Sequence, residues 1–346
     1  MTRILAIDLG KFKSVACLYT TESSDPVFQT VQTRPQVFHD LIAEQDPHRV
    51  VIEVGSAAGW VKDLCEAMEI AIEVANPNHE AWRWKSVKRK TDKDDALKLA
   101  KLSAMGQLPT VQLPTSEVRQ WRSLISYRTT LVRRRTAIKN SIRAIIDHQG
   151  MKYLSGRNGW TKAALAQLHQ WSSPLVECEP SQLWRGQLYL ELTALDQIQS
   201  LISIAEKKLD TIAASSKSVK RLQTVPGVGP RLAEWVVAVI DNPQRFRNGK
   251  QVGAYIGLCP RQYESGQMSR SGGITGQGHR LLRSLLVEVS WLTLRYNPWL
   301  ASVYNHVCRG SKTRRKIAVV AVARRLIILC WAMLRDGTDW REPVVT

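Results

Sequence analysis

Apolar and polar positions follow three regimes along this chain. Up to Ala75 the apolar runs are short. Ile4-Leu5-Ala6-Ile7 ends at Asp8 and Gly10, and Val15-Ala16-Cys17-Leu18-Tyr19 follows as a hairpin partner. Arg49-Val50-Val51-Ile52-Glu53-Val54-Gly55 repeats the first design, and Ala71–Ala75 is a shorter run that closes on Asn76-Pro77. Runs of this length predict buried strands, with a helix over Trp60–Met68 between the last two. Beyond Thr91 the apolar spacing changes to three and four (Ala96, Leu97, Leu99, Ala100, Leu102), which predicts a helix starting near Asp92. A mixed sheet with flanking helices follows.

The second regime is heptad. Leu124, Leu131, Ile138 and Ile145 recur every seventh residue and predict one long amphipathic helix. A second arm carries Leu188, Leu195, Ile202 and Leu209, interleaved with Ile198, Ala205 and Ile212. Residues 148–187, rich in Gly, Ser, Pro and Trp, read as a loose connection. The heptads suit packing within one chain and pairing between subunits equally. In the third regime, Leu222–Ala233 reads helix, turn, helix about Pro226-Gly227-Val228-Gly229. A small-residue loop over 257–279 and two helices, Leu281–Leu294 and Lys316–Leu334, follow. The last is apolar, but Arg324 and Arg325 sit in its middle, so it reads as a buried amphipathic helix and not a membrane span. The fold expected is an α/β domain over 1–112, a basic helical and coiled-coil region over 113–215, and a mostly α domain over 216–346 with a helix-hairpin-helix.

Charge sharpens the picture. The 346 residues hold 49 Lys and Arg against 30 Asp and Glu, a net charge of +19 that points to a polyanionic partner, nucleic acid first. Between Glu117 and Asp147 no acid occurs, while Arg119, Arg122, Arg128, Arg133, Arg134, Arg135, Lys139 and Arg143 do. A cationic face without balancing acid repels itself and suits a phosphate backbone. Gly227 and Gly229 would let backbone N–H groups approach a phosphate at a helix start, a grip that reads no bases. The turn is not a P-loop, because no Lys-Ser/Thr follows at the required spacing. The six cysteines are scattered with no CxxC pair, which suits a reducing cytoplasm. Met1-Thr-Arg-Ile-Leu runs straight into a strand pattern and leaves no room for a signal peptide.

The candidate chemistry lies in carboxylates and hydroxyls. Lys90-Thr91-Asp92-Lys93-Asp94-Asp95-Ala96 is an island of acid among Arg83, Lys85, Lys88, Arg89, Lys98 and Lys101. On a helix from Asp92, Asp92 and Asp95 share a face and Asp94 is rotated away. Asp8 by itself is an ordinary strand-end acid, but Glu53 within an apolar strand is costly unless it is used. The order Asp8, Glu53, Asp92, Asp95 suits a two-metal site. Among Tyr263, Ser265, Ser269 and Ser271, beside Arg261, Arg270 and Arg280, composition prefers no single hydroxyl.

Taken together, these motifs resemble the DEDD-type insertion-sequence transposases, relatives of the pilin-gene invertases and described as bridge-RNA-guided recombinases. The matching residues are Ile7-Asp8-Leu9-Gly10-Lys11, Ile52-Glu53, Asn76-Pro77, and Lys90-Thr91-Asp92 through Asp95-Ala96. Val225-Pro226-Gly227-Val228-Gly229, Gly257-Leu258, Pro260-Arg261 and Tyr263-Glu264-Ser265-Gly266 follow in the same order. The resemblance implies a RuvC-like, RNase H-fold N-terminal domain whose Asp8, Glu53, Asp92 and Asp95 bind Mg2+, and a serine nucleophile at Ser265. It also implies DNA strand exchange through a covalent phosphoserine link, donor and target DNA, a structured non-coding guide RNA, and a homodimer or homotetramer with a composite site. A bacterial cytoplasmic, nucleoid-associated setting goes with it. The nucleic-acid contacts expected are Lys11, Arg122, Arg133, Arg134, Arg135, Lys139, Gly227, Gly229, Arg261 and Arg270. One departure stands out: the family's Ile-Ser-Lys-x-Gly is Ile274-Thr275-Gly276-Gln277-Gly278 here, without the basic residue. Two other readings remain, a metal-dependent nuclease of the Holliday-junction resolvase type and a non-catalytic nucleic-acid-binding protein. An actin-like kinase lacks its second phosphate loop.

Overall fold

A computed structural model describes residues 2–22, 25–76, 91–152, 156, 158–265 and 268–342, with the side chains of 263–265 and 268–271 left aside. The chain divides into two compact units, residues 1–117 and 118–346. The basic residues Arg83, Lys85, Lys88, Arg89 and Lys90 lie outside the described residues.

In the first unit, strands β1 (Arg3–Asp8), β2 (Lys13–Thr20), β3 (Val27–Gln32), β4 (Arg49–Glu53) and β5 (Ala71–Ala75) form one sheet in the order β3-β2-β1-β4-β5. β1 pairs antiparallel with β2, and β2 with β3, while β1–β4 and β4–β5 are parallel. The β1–β2 turn needs Gly10, because a Cβ there would meet the Lys13 carbonyl oxygen at 2.0 Å. Alternation along the strands sends side chains to two cores. Leu5, Ile7, Val50 and Ile52 pack with α1 (Pro35–Gln45) and α2 (Ala58–Ala67). Ile4, Ala6 and Val51 pack on the other face under Ala96, Leu99 and Ala100 of α3 (Asp92–Ala104).

The predicted strands and the helix start at Asp92 are observed. β3 and α1 were not legible. Of β3 only Val31 is buried, so its pattern is weak, and the apolar content of α1 is confined to Val37, Phe38, Leu41, Ile42 and Ala43 after Pro35 at its first turn.

In the second unit, the first heptad arm is α4 (Ser116–His148) and the second is α6 (Leu183–Ser215). They pack within one chain: Leu131, Ile142 and Ile146 share a core with Leu188, Leu192, Leu195, Ile198 and Ile202. The arms run antiparallel, since Arg128 Nε donates to Glu206 Oε1 (2.8 Å) and Ser141 Oγ to Glu191 Oε1 (2.8 Å). The expected loose connection over 148–187 is corrected. It contains α5 (Lys162–Trp171), whose Ala164 and Leu168 are buried, with Leu168 in the core between the arms. That helix is short and only two of its positions are buried, so the Gly, Ser, Pro and Trp around it masked it.

Beyond the arms, α7 (Lys217–Gln223), α8 (Pro230–Ile240) and α9 (Gly249–Ile256) lead to strands β6 (Pro260–Ser265) and β7 (Met268–Ile274), then α10 (Arg280–Thr293), α11 (Pro298–Cys308) and α12 (Arg315–Asp336). The region read as a small-residue loop is therefore largely an antiparallel hairpin, paired from Pro260–Ile274 to Ser265–Met268. α12 is long and apolar enough to cross a membrane by length and composition. It is the core helix of this unit instead, with Val322, Ala323, Leu326, Ile327 and Cys330 buried against the helices around it.

Candidate active site and nucleic-acid surface

The acid island is placed by a cap. Thr91 Oγ1 accepts from the Asp94 N–H (3.3 Å) and Asp94 Oδ2 accepts from the Thr91 N–H (3.2 Å), a reciprocal capping box that starts α3. Asp94 is thus committed to the cap, as its rotation away from the shared face predicts. Asp92 and Asp95 remain in the first turn, where the helix dipole favours negative charge.

Asp8 and Glu53 reach the same edge of the sheet. The parallel register pairs Ile7 with Ile52, so one step further sets Asp8 beside Glu53 at the carboxyl ends of β1 and β4. Both continue the alternation of Ile4, Ala6 and Val51, the face that α3 covers. α3 runs against β4. Ser103 near its end accepts from Arg49 Nε (2.8 Å) at the start of β4 and donates to Glu73 Oε2 (2.6 Å). From Arg49 to Glu53 a strand advances about 13 Å, and from Ser103 back to Asp95 a helix advances about 12 Å. Asp95 therefore arrives level with Glu53, with Asp92 about one turn beyond. Asp8, Glu53 and Asp95 are half-buried and Asp92 is exposed.

Topology thus gathers four carboxylates on one face and one edge. It does not close them into a cage: among the described residues no three His, Cys, Asp or Glu side chains form a metal-holding group. The donors are all hard oxygens, the set that Mg2+ takes.

The expected nucleic-acid contacts divide. Arg122 turns inward: its Nε donates to the Ala238 carbonyl (2.6 Å) and its Nη2 to that of Val239 (3.2 Å), and burial pushes its pKa down. It serves the last carbonyls of α8 and leaves the cationic face. Arg128 is tied to Glu206, an acid that the α4 sequence does not contain but α6 supplies. Lys139 lies over the Trp160 ring at 4.4 Å from its centre, with Arg143 at 5.2 Å, and burial, then Arg135 and Arg143, lowers the Lys139 pKa. Arg133 and Arg134 are exposed and Arg135 half-buried, so these three carry the outward charge. Lys11 is exposed over Phe12, itself 76% exposed, at the β1–β2 turn.

The turn between α7 and α8 also divides its glycines. Gly227 has φ +89°, and a Cβ there would lie 2.8 Å from Thr293 Cγ2, so this glycine serves the turn and its packing on α10 rather than an open approach to phosphate. Gly229, at the start of α8, faces open space. Arg261 donates to the Thr275 carbonyl (3.2 Å) across the base of the hairpin. Ser265 is the last residue of β6, paired with Met268, and Tyr263 pairs with Arg270. Their side chains, and those of Ser269 and Ser271, lie outside the described residues.

Two ionisable groups escaped the sequence reading. His279 abuts Tyr255 (Nε2 to OH 3.3 Å), and burial, then Arg122, Arg245 and Arg283, pushes its pKa down to about 4. Glu234 is fully buried beside Arg231 (Nη1 to Oε1 3.0 Å), and burial pushes its pKa up to about 7. Nothing in the spacing of either residue marks it, because burial by the surrounding segments is the main cause of both shifts.

Comparison with known proteins gives the class. Residues 5–151 match the DEDD domain of IS110-type transposases, and residues 219–305 match the family described as transposase IS116/IS110/IS902. Matched in order at both ends, the chain belongs to this family of insertion-sequence transposases, enzymes that cut and recombine DNA. It is similar to the transposase for insertion sequence element IS1111A of Coxiella burnetii, at 28% identity over 98% of this chain and 91% of the relative. It is also similar to the transposase for element IS1328 of Yersinia enterocolitica (25% identity; 72% of this chain, 73% of the relative) and to the pilin gene-inverting protein of Moraxella lacunata (24% identity; 79% and 75%). Asp8, Glu53, Asp92 and Asp95 fall within the first match and Ser265 within the second.

Proposed function

We propose that this chain exchanges DNA strands through a transient covalent bond between Ser265 and DNA, assisted by Mg2+ at Asp8, Glu53, Asp92 and Asp95. What supports the reading is that strand register and the length of α3 direct those four carboxylates, from three separate segments, toward one face at one edge of the sheet. The strand order, antiparallel over β3-β2-β1 and parallel over β1-β4-β5, supports an RNase H-like fold for the first unit. The hard oxygens of the tetrad suit Mg2+, which when bound supplies Lewis-acid stabilisation of charge on the phosphoryl oxygens. In the protein's own chemistry, the Ser265 oxygen bonds to phosphorus as the bond to the leaving strand breaks. The serine proton passes to solvent, and the leaving oxygen takes up a proton from solvent as it departs as a strand-end hydroxyl. The phosphoserine ester keeps the bond energy, so rejoining needs no nucleotide cofactor.

The outward face of Arg133, Arg134 and Arg135 would hold phosphate backbone, with Lys11, Lys139, Gly229, Arg261 and Arg270 as further contacts. The α7–turn–α8 segment would act as a helix-hairpin-helix. Base recognition would come from a structured guide RNA, with two or four copies of the chain building a composite site. In function the chain would divide into a metal-binding part to about residue 112, a basic helical part to about 215, and the serine-bearing part beyond.

The test is trapping of a protein–DNA adduct in Mg2+ with the element's own flanking DNA and co-expressed RNA. Wild type is expected to form an adduct, and Ser265→Ala and Asp8→Ala to form none. Cleaved DNA without adduct in wild type would establish the nuclease instead. Recombination that survives Ser265→Ala would remove the serine from the mechanism.

A further inference from the structure

The second unit holds a cavity of about 1010 Å³ between α9, α11 and α12, away from the residues assigned above. Its lining includes the apolar side chains of Val303, Val307 and Ile328. Its lining also carries three cations, Lys250, Arg324 and Arg325, of which Lys250 and Arg325 are exposed. The two arginines are the pair that interrupts the apolar run of α12, and both open onto this one space. Arg324 is half-buried and lies over α9, its Nε 3.2 Å from where a Cβ on Gly253 would stand. Among the described residues, none of the three cations makes an ion pair or side-chain hydrogen bond. A half-buried guanidinium without an anion is costly to keep.

A second observation points the same way. Asn248, Gly249 and Lys250, the start of α9, form part of the lining. Asn248 Oδ1 takes the Gln251 N–H (3.1 Å), and the N–H groups of Gly249 and Lys250 have no acceptor within the helix. The wall is built to close tolerance: a Cβ on Gly249 would come within 2.7 Å of Ile328 Cγ2. Cations, helix N–H groups and apolar side chains in one lining together fit a ligand with a phosphate at one end and a flat, weakly polar body at the other.

We propose that this cavity receives one unpaired nucleotide of a bound nucleic-acid strand, its base against Val303, Val307 and Ile328 and its phosphate on Lys250, Arg324 and Arg325. The choice of a nucleotide rests on the reading of the chain as a DNA-recombining enzyme. A lone phosphate would leave most of the volume empty, since the cavity stands at the top of the range of about 300–1,000 Å³ for small-molecule pockets. A paired base, held within the duplex, cannot enter. α9 runs from the cavity to the base of the β6–β7 hairpin over eight residues, about 12 Å, so a strand held here passes within a few nucleotides of that hairpin.

The test uses the full-length chain in EDTA, so that binding is read without cleavage, and compares fluorescent duplexes with and without one bulged nucleotide. Wild type is expected to prefer the bulged duplex. Arg324→Gln/Arg325→Gln is expected to weaken that complex about tenfold and to leave the fully paired duplex within about twofold. Ser302→Trp, which fills the cavity mouth without changing charge, is expected to weaken the bulged complex by about fivefold or more. If the arginine variant melts early, Ser302→Trp and Lys250→Gln carry the test. Equal losses on both duplexes with Ser302→Trp silent would reduce the site to a general cationic surface and overturn the proposal, as would unchanged binding in every variant. The adduct assay separates the two readings: a chain that forms the Ser265 adduct but ignores the bulge fails only here, and one that binds the bulge without an adduct fails only there.

Discussion

Glu234 is a buried carboxyl that folding makes harder to ionise. Burial outweighs the attraction of Arg231, which Asp210 also shares, and its pKa rises to about 7 from an ordinary 4.5. An acid whose folded pKa is raised binds its proton more tightly when folded. Its favourable contribution is therefore complete below about pH 4.5 and is lost as pH climbs to about 7. Glu234→Gln, which mimics the protonated form, should be the more stable chain at pH 8 by up to about 3 kcal/mol, with the advantage vanishing near pH 4.5. Thermal melts of both chains across that window check it, and a wild-type advantage at pH 8 would refute it. The case shows why single residues resist sequence reading. Glu234 sits in a plain amphipathic pattern, and only Asp210 and Arg231, 24 and 3 residues before it, reveal its state.

At the scale of elements, α3 is where local sequence and site coincide. Thr91 and Asp94 fix where the helix begins, and that start fixes which aspartates share a face. Thr91→Ala should lower the stability of the first unit by about 1 kcal/mol and fray the turn that carries Asp92 and Asp95. Hydrogen exchange at the Asp94 and Asp95 amides reports the fraying directly, and unchanged exchange would show the cap to be dispensable. The helix start was legible because capping is a short-range matter of three residues. The hairpin β6–β7 was not, because its pairing is cross-strand and its sequence lacks an alternating apolar pattern to advertise it. α5 was lost for a related reason: its two buried positions gain meaning only once α4 and α6 lie beside them.

At the scale of the whole molecule, the charge of +19 is unevenly usable. Arg122 and Arg128 of α4 are engaged within the protein, and Arg133, Arg134 and Arg135 face outward. Replacing those three by Gln should weaken duplex DNA binding and make the slope of log K against log salt shallower by about 2–3, with little effect on melting temperature. Arg122→Ala should do the reverse, lowering the melting temperature as the last carbonyls of α8 lose their donor while the salt slope stays the same. Equal slopes in the triple variant and wild type would place the phosphate contacts elsewhere.

The sequence by itself determined β1, β2, β4 and β5, the heptad arms and the start of α3, and it singled out four carboxylates as candidates. All of these depend on periodicity, on capping, or on an acid standing where burial makes it expensive. Tertiary structure decided the rest. It decided that the heptad arms satisfy each other within one chain, because the apolar faces of α4 and α6 share a single core with α5. It separated the outward arginines from those consumed by Glu206 and by the end of α8. It also placed Arg324 and Arg325 in the lining of a cavity rather than merely on the polar side of a helix. The spacing within a segment fixes which residues share its face, but what that face meets is set by segments a hundred residues away.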